Sequence, residues 1–134
     1  MIAAEDERAF ESNLTRSNYK LAARTENFAR YISASPDLPE IDVLFVDSST
    51  FTKLEENAIS LQRGKHDFRV PDLSQLIALK LHAIRNQPQR EQRDLPDIAE
   101  LLRLNSGRIR AKELNELCEK FGPLEIGSKL QRLL

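Results

Sequence analysis

The sequence predicts an α+β fold in a single domain. Extended, alternating segments crowd into residues 18–70, and helical periodicities fill residues 72–134. Strands that come first and helices that come last segregate instead of alternating, which separates α+β from α/β. The length, 134 residues, suits one core, and 40% hydrophobic residues are enough to fill it.

The elements follow in order. Residues 5–15 read as a short helix, because Phe10 and Leu14 share a face. Residues 19–24 and 27–33 read as a hairpin, with Phe28, Arg30 and Ile32 alternating against Ala29 and Tyr31 around the turn Thr25-Glu26. Ser35-Pro-Asp-Leu-Pro39 is a loop. Residues 40–47 form a strand with Ile41, Val43 and Phe45 on one face and Leu44 and Val46 on the other. A strand apolar on both faces is expected to lie inside a sheet covered on both sides. No strand is expected before the acidic cluster Glu5-Asp-Glu7.

Asp47-Ser-Ser-Thr50 carries a helix-start signature for a short helix over 51–58. Residues 59–62 and 67–70 are short strands around Arg63-Gly64-Lys65. Asp72 is the expected N-cap of the next helix, with Gln75 completing a capping box. Asp94 is expected to cap a helix over 95–104, with Pro96 in its first turn. Residues 111–121 form a further helix stopped by Gly122-Pro123, and 127–134 a last one.

The formal net charge of -1 gives no long-range pull toward nucleic acid or an anionic membrane. One cysteine, Cys118, excludes an intramolecular disulfide framework and fits a reducing compartment. Its neighbours Leu114, Leu117 and Phe121 mark it as a core residue. No apolar run approaches the roughly 20 residues that span a bilayer. The acidic start is unlike a signal peptide, so the expected location is the cytoplasm.

One residue breaks the pattern. At about 100° per residue, Leu73, Leu76, Ile77, Lys80 and Ile84 share a helix face, and Lys80 falls near the centre of that apolar arc. Burying an ammonium without a partner costs several kcal/mol. Two readings stand. In one, Lys80 packs its methylenes and its head reaches water or a carboxylate. In the other, the head emerges into a cleft and meets an anion such as a phosphate. His82 lies on the opposite face and reads as solvated.

Asp42 interrupts an otherwise apolar strand. It is either a strand-end acid bonded to a loop or a group that ligands a divalent metal or accepts a proton. Arg93, Asp94 and Asp97 are explained as helix-start chemistry, since acids in a first turn complement the macrodipole. Arg85, Arg90 and Arg93 form either a solvated run or a local basic patch.

Ile41-Asp-Val-Leu-Phe-Val-Asp47, Phe68-Arg-Val-Pro-Asp-Leu-Ser-Gln-Leu-Ile-Ala-Leu-Lys-Leu-His-Ala83 and Arg93-Asp-Leu-Pro-Asp-Ile98 together resemble the second half of a nucleotidyltransferase-fold protein of the AbiEii-like branch. The resemblance covers roughly residues 19–105 and implies a partial nucleotidyltransferase-like fold, a small mixed or antiparallel sheet followed by a helical bundle. It implies Asp42 as a metal-binding and catalytic acid, Lys80 facing nucleotide phosphates, and Arg93, Asp94 and Asp97 closing the site, with Lys80 and Asp94 counted among the catalytic residues and Lys80, Arg93 and Asp97 among the nucleotide-binding ones. The implied chemistry is transfer of a nucleoside monophosphate from an NTP with two Mg²⁺ ions, which clamp the attacking and leaving oxygens.

The family's Gly-Ser and Asp-x-Asp elements precede the matched region, whereas the first glycine here is Gly64. The chain by itself is therefore expected to lack transfer activity. An exposed apolar strand invites a partner, so a homodimer or an N-terminal partner segment is expected. Nucleic acid, such as a tRNA, would have to use the local arginines.

Overall fold

The computed structural model describes residues 1–133. The α+β expectation holds, and the chain divides into two compact units, Met1–Glu56 and Asn57–Leu134.

The first unit contains β1 (Ile2–Ala3), a 3-10 turn, α1 (Glu7–Arg16), β2 (Tyr19–Thr25), β3 (Phe28–Ser33), β4 (Ile41–Val46) and α2 (Ser48–Glu56). The sheet order is β1-β4-β3-β2. β1 runs parallel to β4, and the other pairs are antiparallel. The predicted hairpin forms, with its turn at residues 26–27. α1 ends where Asn18 adopts a left-handed φ of 61°, a conformation its short amide side chain tolerates. Phe10 and Leu14 of α1 pack on Tyr19, Ala29, Tyr31, Val43 and Phe45, so a single face of the sheet is buried.

That corrects two expectations. β4 is interior in strand order but is covered on one face only. Val43 and Phe45 are buried, whereas Leu44 on the other face is 43% exposed, because α1 lies on the Val43 side. A strand also precedes the acidic cluster: Ile2 and Ala3 pair with Phe45 and Val46. Two residues are too few for a period-2 pattern to register. α2 starts three residues earlier than predicted. Asp47 accepts the Thr50 backbone N–H at 3.0 Å and the Ser49 and Thr50 hydroxyls at 2.7 Å each. These bonds hold its carboxyl far below the usual carboxylate range, led by the one from the Thr50 side chain.

The second unit contains the hairpin β5 (Ile59–Arg63) and β6 (His66–Val70), then α3 (Leu73–Asn86), a 3-10 turn (Pro88–Arg90), α4 (Glu91–Leu104), α5 (Ala111–Phe121) and α6 (Ile126–Gln131). The β5–β6 hairpin thus groups with the helices instead of with the four-stranded sheet. Its turn has positive φ only at Gly64, the first central residue, as a type II′ turn requires. The capping box at α3 is complete: Gln75 N–H donates to Asp72 Oδ1 at 2.7 Å, and Asp72 N–H donates to Gln75 Oε1 at 3.0 Å. Ile77, Leu81 and Ile84 of α3 meet Leu95, Ile98 and Ala99 of α4, with Cys118, Ile126 and Leu130 closing the core.

α4 begins four residues before the predicted start. Asp94 is therefore not the N-cap; it lies one turn inside, and Pro96 sits within the helix. Burial of Asp94, Leu95, Ile98 and Ala99 on one face supports the extra turn. The predicted last helix shrinks to Ile126–Gln131, and its expected end, Leu134, lies outside the described residues. No helix among the described residues is long and apolar enough to cross a membrane.

Candidate functional site

Lys80 sits on the flank of the α3 stripe, not at its centre. Ile77, Leu81 and Ile84 are fully buried, while the Lys80 side chain keeps 22% of its surface. The reason is which neighbour covers the helix: α4 and α5 pack over the Ile77–Leu81–Ile84 line, leaving the adjacent 80° or so of arc to polar contacts. From that flank the ammonium donates to Asp97 Oδ2 at 2.7 Å and to Asp94 Oδ1 at 3.4 Å.

Asp94 is the centre of the cluster. It is 1% exposed, yet both of its oxygens have partners. Arg90 Nε donates to Oδ2 at 2.7 Å, and Arg93 Nε approaches Oδ1 at 3.4 Å. Burial pushes the Asp94 carboxyl up, but the Arg90 hydrogen bond and the charges of Lys80 and Arg90 together outweigh it, leaving the group below its ordinary value. Three cations (Lys80, Arg90 and Arg93) thus face two carboxylates (Asp94 and Asp97). The surplus is one positive charge. The head of Lys80 meets carboxylates, and it also borders a groove of about 250 Å³ whose other lining residues are Leu76, Asp97, Glu100, Leu101 and Leu104, so one cation faces two acids there. A second hollow, about 270 Å³ near Cys118, has no basic side chain in its lining and offers nothing to an anion.

The structure brings Lys80, Arg93, Asp94 and Asp97 together. Asp42 belongs to the first unit and lies on the outward face of its sheet. There it stands opposite Arg30 on β3, which donates from Nε to Oδ1 at 2.7 Å and from Nη2 to Oδ2 at 2.8 Å. Glu40 is also 3.6 Å from Arg30. Among the described residues, no group of three or more His, Cys, Asp or Glu side chains is gathered to hold a metal ion. A pair of Mg²⁺ ions needs two or three shared carboxylates, whereas Asp42 has a guanidinium on both of its oxygens. The donor set of this chain does not fit that metal pair.

Arg90 is the residue that the sequence reading missed as an individual. It was visible only as part of a basic run. Its i,i+4 spacing to Asp94 becomes a signal once the helix is known to start before Leu95.

The acid on the sheet strand, the lysine on one helix and the Arg-Asp-x-x-Asp element on the next occur in one chain in this order. Residues 3–127 match the family described as Nucleotidyl transferase AbiEii toxin, Type IV TA system. The chain belongs to the AbiEii nucleotidyltransferase toxin family. No curated protein matches it. Membership makes the chain nucleotidyltransferase-like and places it in a family of toxin–antitoxin systems, where NTP and Mg²⁺ dependence and interaction with a partner are general features.

Proposed function

We propose that this AbiEii-family chain contacts a nucleotide phosphate through Lys80 and Arg93 and does not transfer a nucleoside monophosphate by itself. The observations that support this reading are Lys80 at the edge of an open groove, with the exposed Arg93 in the same α3–α4 cluster, and, among the described residues, an acid set too small for two metal ions. Lys80 supplies a point charge for an anion, Arg93 a planar donor that is 67% exposed and free to turn toward it, and the buried Asp94 orients both. Asp97 would exchange its contact with Lys80 for solvent as the anion arrives. Transfer would require the Gly-Ser and Asp-x-Asp element from another segment.

Titration calorimetry of the purified chain with NTP, with and without Mg²⁺, tests the first part. Weak binding is expected, falling at least tenfold in Lys80→Met. Incubation with labelled NTP tests the second, and no incorporation is expected. Robust Mg²⁺-dependent transfer by the pure chain would overturn the reading, as would binding that Lys80→Met leaves unchanged.

A second reading, compatible with the first, is a partner-dependent interaction module. It is favoured by two uncovered apolar faces: Ile32 and Leu44 on the four-stranded sheet, and Ile59, Leu61 and Phe68 on the β5–β6 hairpin.

A further inference from the structure

The β5–β6 hairpin contributes no side chain to the helical core of its unit. Only its own ladder holds it, and a two-stranded ribbon is marginal in water unless a further strand or a packed layer joins it. The register puts Ile59 opposite Val70, Leu61 opposite Phe68 and Arg63 opposite His66 on one face. That face is graded along its length. Its open end is apolar and out in solvent, with Ile59 52% exposed, Leu61 40% and Phe68 49%. Its turn end is basic: Arg63 and His66 close the face, and Lys65 follows Gly64 in the turn.

The cations at that end are uncompensated. Among the described residues, neither Arg63 nor Lys65 has a carboxylate within ion-pair distance. Asp67, the one acid of the hairpin, lies on the opposite face with Arg69. Asp72, the next acid along the chain, is committed to the cap of α3. Size then narrows the occupant. Five residues at about 3.4 Å along two strands about 4.8 Å apart make a face of about 17 Å by 10 Å, or roughly 170 Å². A specific interface between folded surfaces takes about 800 Å² from each partner, so a folded surface, a second copy included, gains too little here. A single extended segment fits. Each strand of the hairpin pairs only with the other, which leaves an edge free for strand addition, where main-chain hydrogen bonds supplement the side-chain contacts. Two unpaired cations at one end select acids at the matching end of that segment.

We infer that the β5–β6 hairpin docks an extended acidic segment of a partner protein. The segment adds as a third strand, lays alternate apolar side chains on the Ile59, Leu61, Phe68 and Val70 face, and sets carboxylates against Arg63 and Lys65. This docking rests on the interaction-module reading and names its site and the class of its occupant. The aliphatic majority of the face favours a protein segment over a single-stranded nucleic acid. Bases stack on aromatic rings, and the face offers them only Phe68 and His66, tilted to each other with centroids 6.4 Å apart.

A random peptide library displayed on phage and panned on the full chain is expected to yield segments that alternate β-branched or aromatic residues and carry Asp or Glu toward one end. The synthetic consensus peptide, followed by fluorescence anisotropy, is expected to bind about fivefold more weakly when its acids become amides, the scale of two exposed ion pairs. It should lose at least tenfold when alternate backbone amides are N-methylated, which blocks strand addition and leaves the protein untouched. Arg63→Glu with Lys65→Glu should lose the acidic peptide and gain its lysine counterpart, a reversal that an unfolded variant cannot show. Hydrogen exchange should place the added protection in residues 59–70. Selected peptides without acids, or binding that N-methylation leaves unchanged, would overturn the docking. So would an oligouridine that displaces the peptide, which makes the occupant a nucleic acid, or a light-scattering mass of twice 15.3 kDa that Phe68→Lys halves, which makes it a second copy. Protection in residues 28–46 in place of 59–70 refutes this site and leaves the interaction-module reading standing. A library that yields no binder refutes both.

Discussion

Replacing Asp94 by Asn keeps the shape of the side chain and removes a buried negative charge from among three cations. Asp94 is 1% exposed and takes Arg90 at 2.7 Å, with Lys80 and Arg93 both at 3.4 Å. Breaking a fully buried charged cluster by removing one partner costs about 3–5 kcal/mol. The cations here are only partly buried, with Lys80 22%, Arg90 36% and Arg93 67% exposed, so each can turn toward water and recover part of the loss. The expected destabilisation of the second unit is therefore about 2–3 kcal/mol, or a fall in its melting midpoint of roughly 10 °C or more for a unit of this size. Urea unfolding followed by far-ultraviolet circular dichroism reads it directly. The pH dependence supplies a second reading. The folded-state pKa of Asp94 lies below its ordinary value of 3.8, so its contribution is present above that value and is lost as the pH falls through the folded value. The gap between wild type and Asp94→Asn should be full at pH 7 and close in strong acid. A gap smaller than about 0.5 kcal/mol at pH 7, the usual spread of surface substitutions, would refute the cluster as the clasp between α3 and α4. So would a gap that stays constant down to strong acid.

Three further outcomes are expected. Gly122→Ala should destabilise the second unit by about 1–3 kcal/mol in the same urea assay, because an added Cβ would collide with Ile126 Cγ2 and lie 2.8 Å from the Cys118 carbonyl oxygen. Asp72→Ala removes the cap of α3 and should cost about 1 kcal/mol by urea titration, whereas Asp72→Asn should keep most of it. The Cys118 thiol is pushed up by burial, and further by Glu119, so a thiol reagent at neutral pH should label it slowly in the folded chain and fast in urea.

Much of the local structure was legible in the residues themselves. The hairpin alternation, the Asp72–Gln75 capping box, the Gly64 turn and the Gly122-Pro123 stop all act within a few residues of chain, so their chemistry is written where it operates. Boundaries were less legible. The residues that extend α4 back to Glu91 carry no cap, and what stabilises that turn is a buried face meeting α3. The candidate site was partly legible. Lys80, Arg93, Asp94 and Asp97 stood out by position and by resemblance, and they do converge. The part played by Arg90 did not stand out, because it depends on the helix start that sequence periodicity misplaced.

The sequence alone determined the α+β segregation, the order of the elements from the first helix onward, the presence of a lysine among the apolar residues of a helix and the family. These depend on spacing and residue type, which are local and additive. Tertiary structure decided which faces are covered. Apolar residues on both sides of β4 look identical in sequence, yet only the Val43–Phe45 side meets a helix, while Leu44 stays exposed. It also decided the partners of each charge: Asp42 meets Arg30 across a strand pair, and Asp94 meets Lys80 across two helices. Burial and ion pairing are properties of neighbours distant along the chain, and a pattern of residue types cannot specify which neighbour arrives.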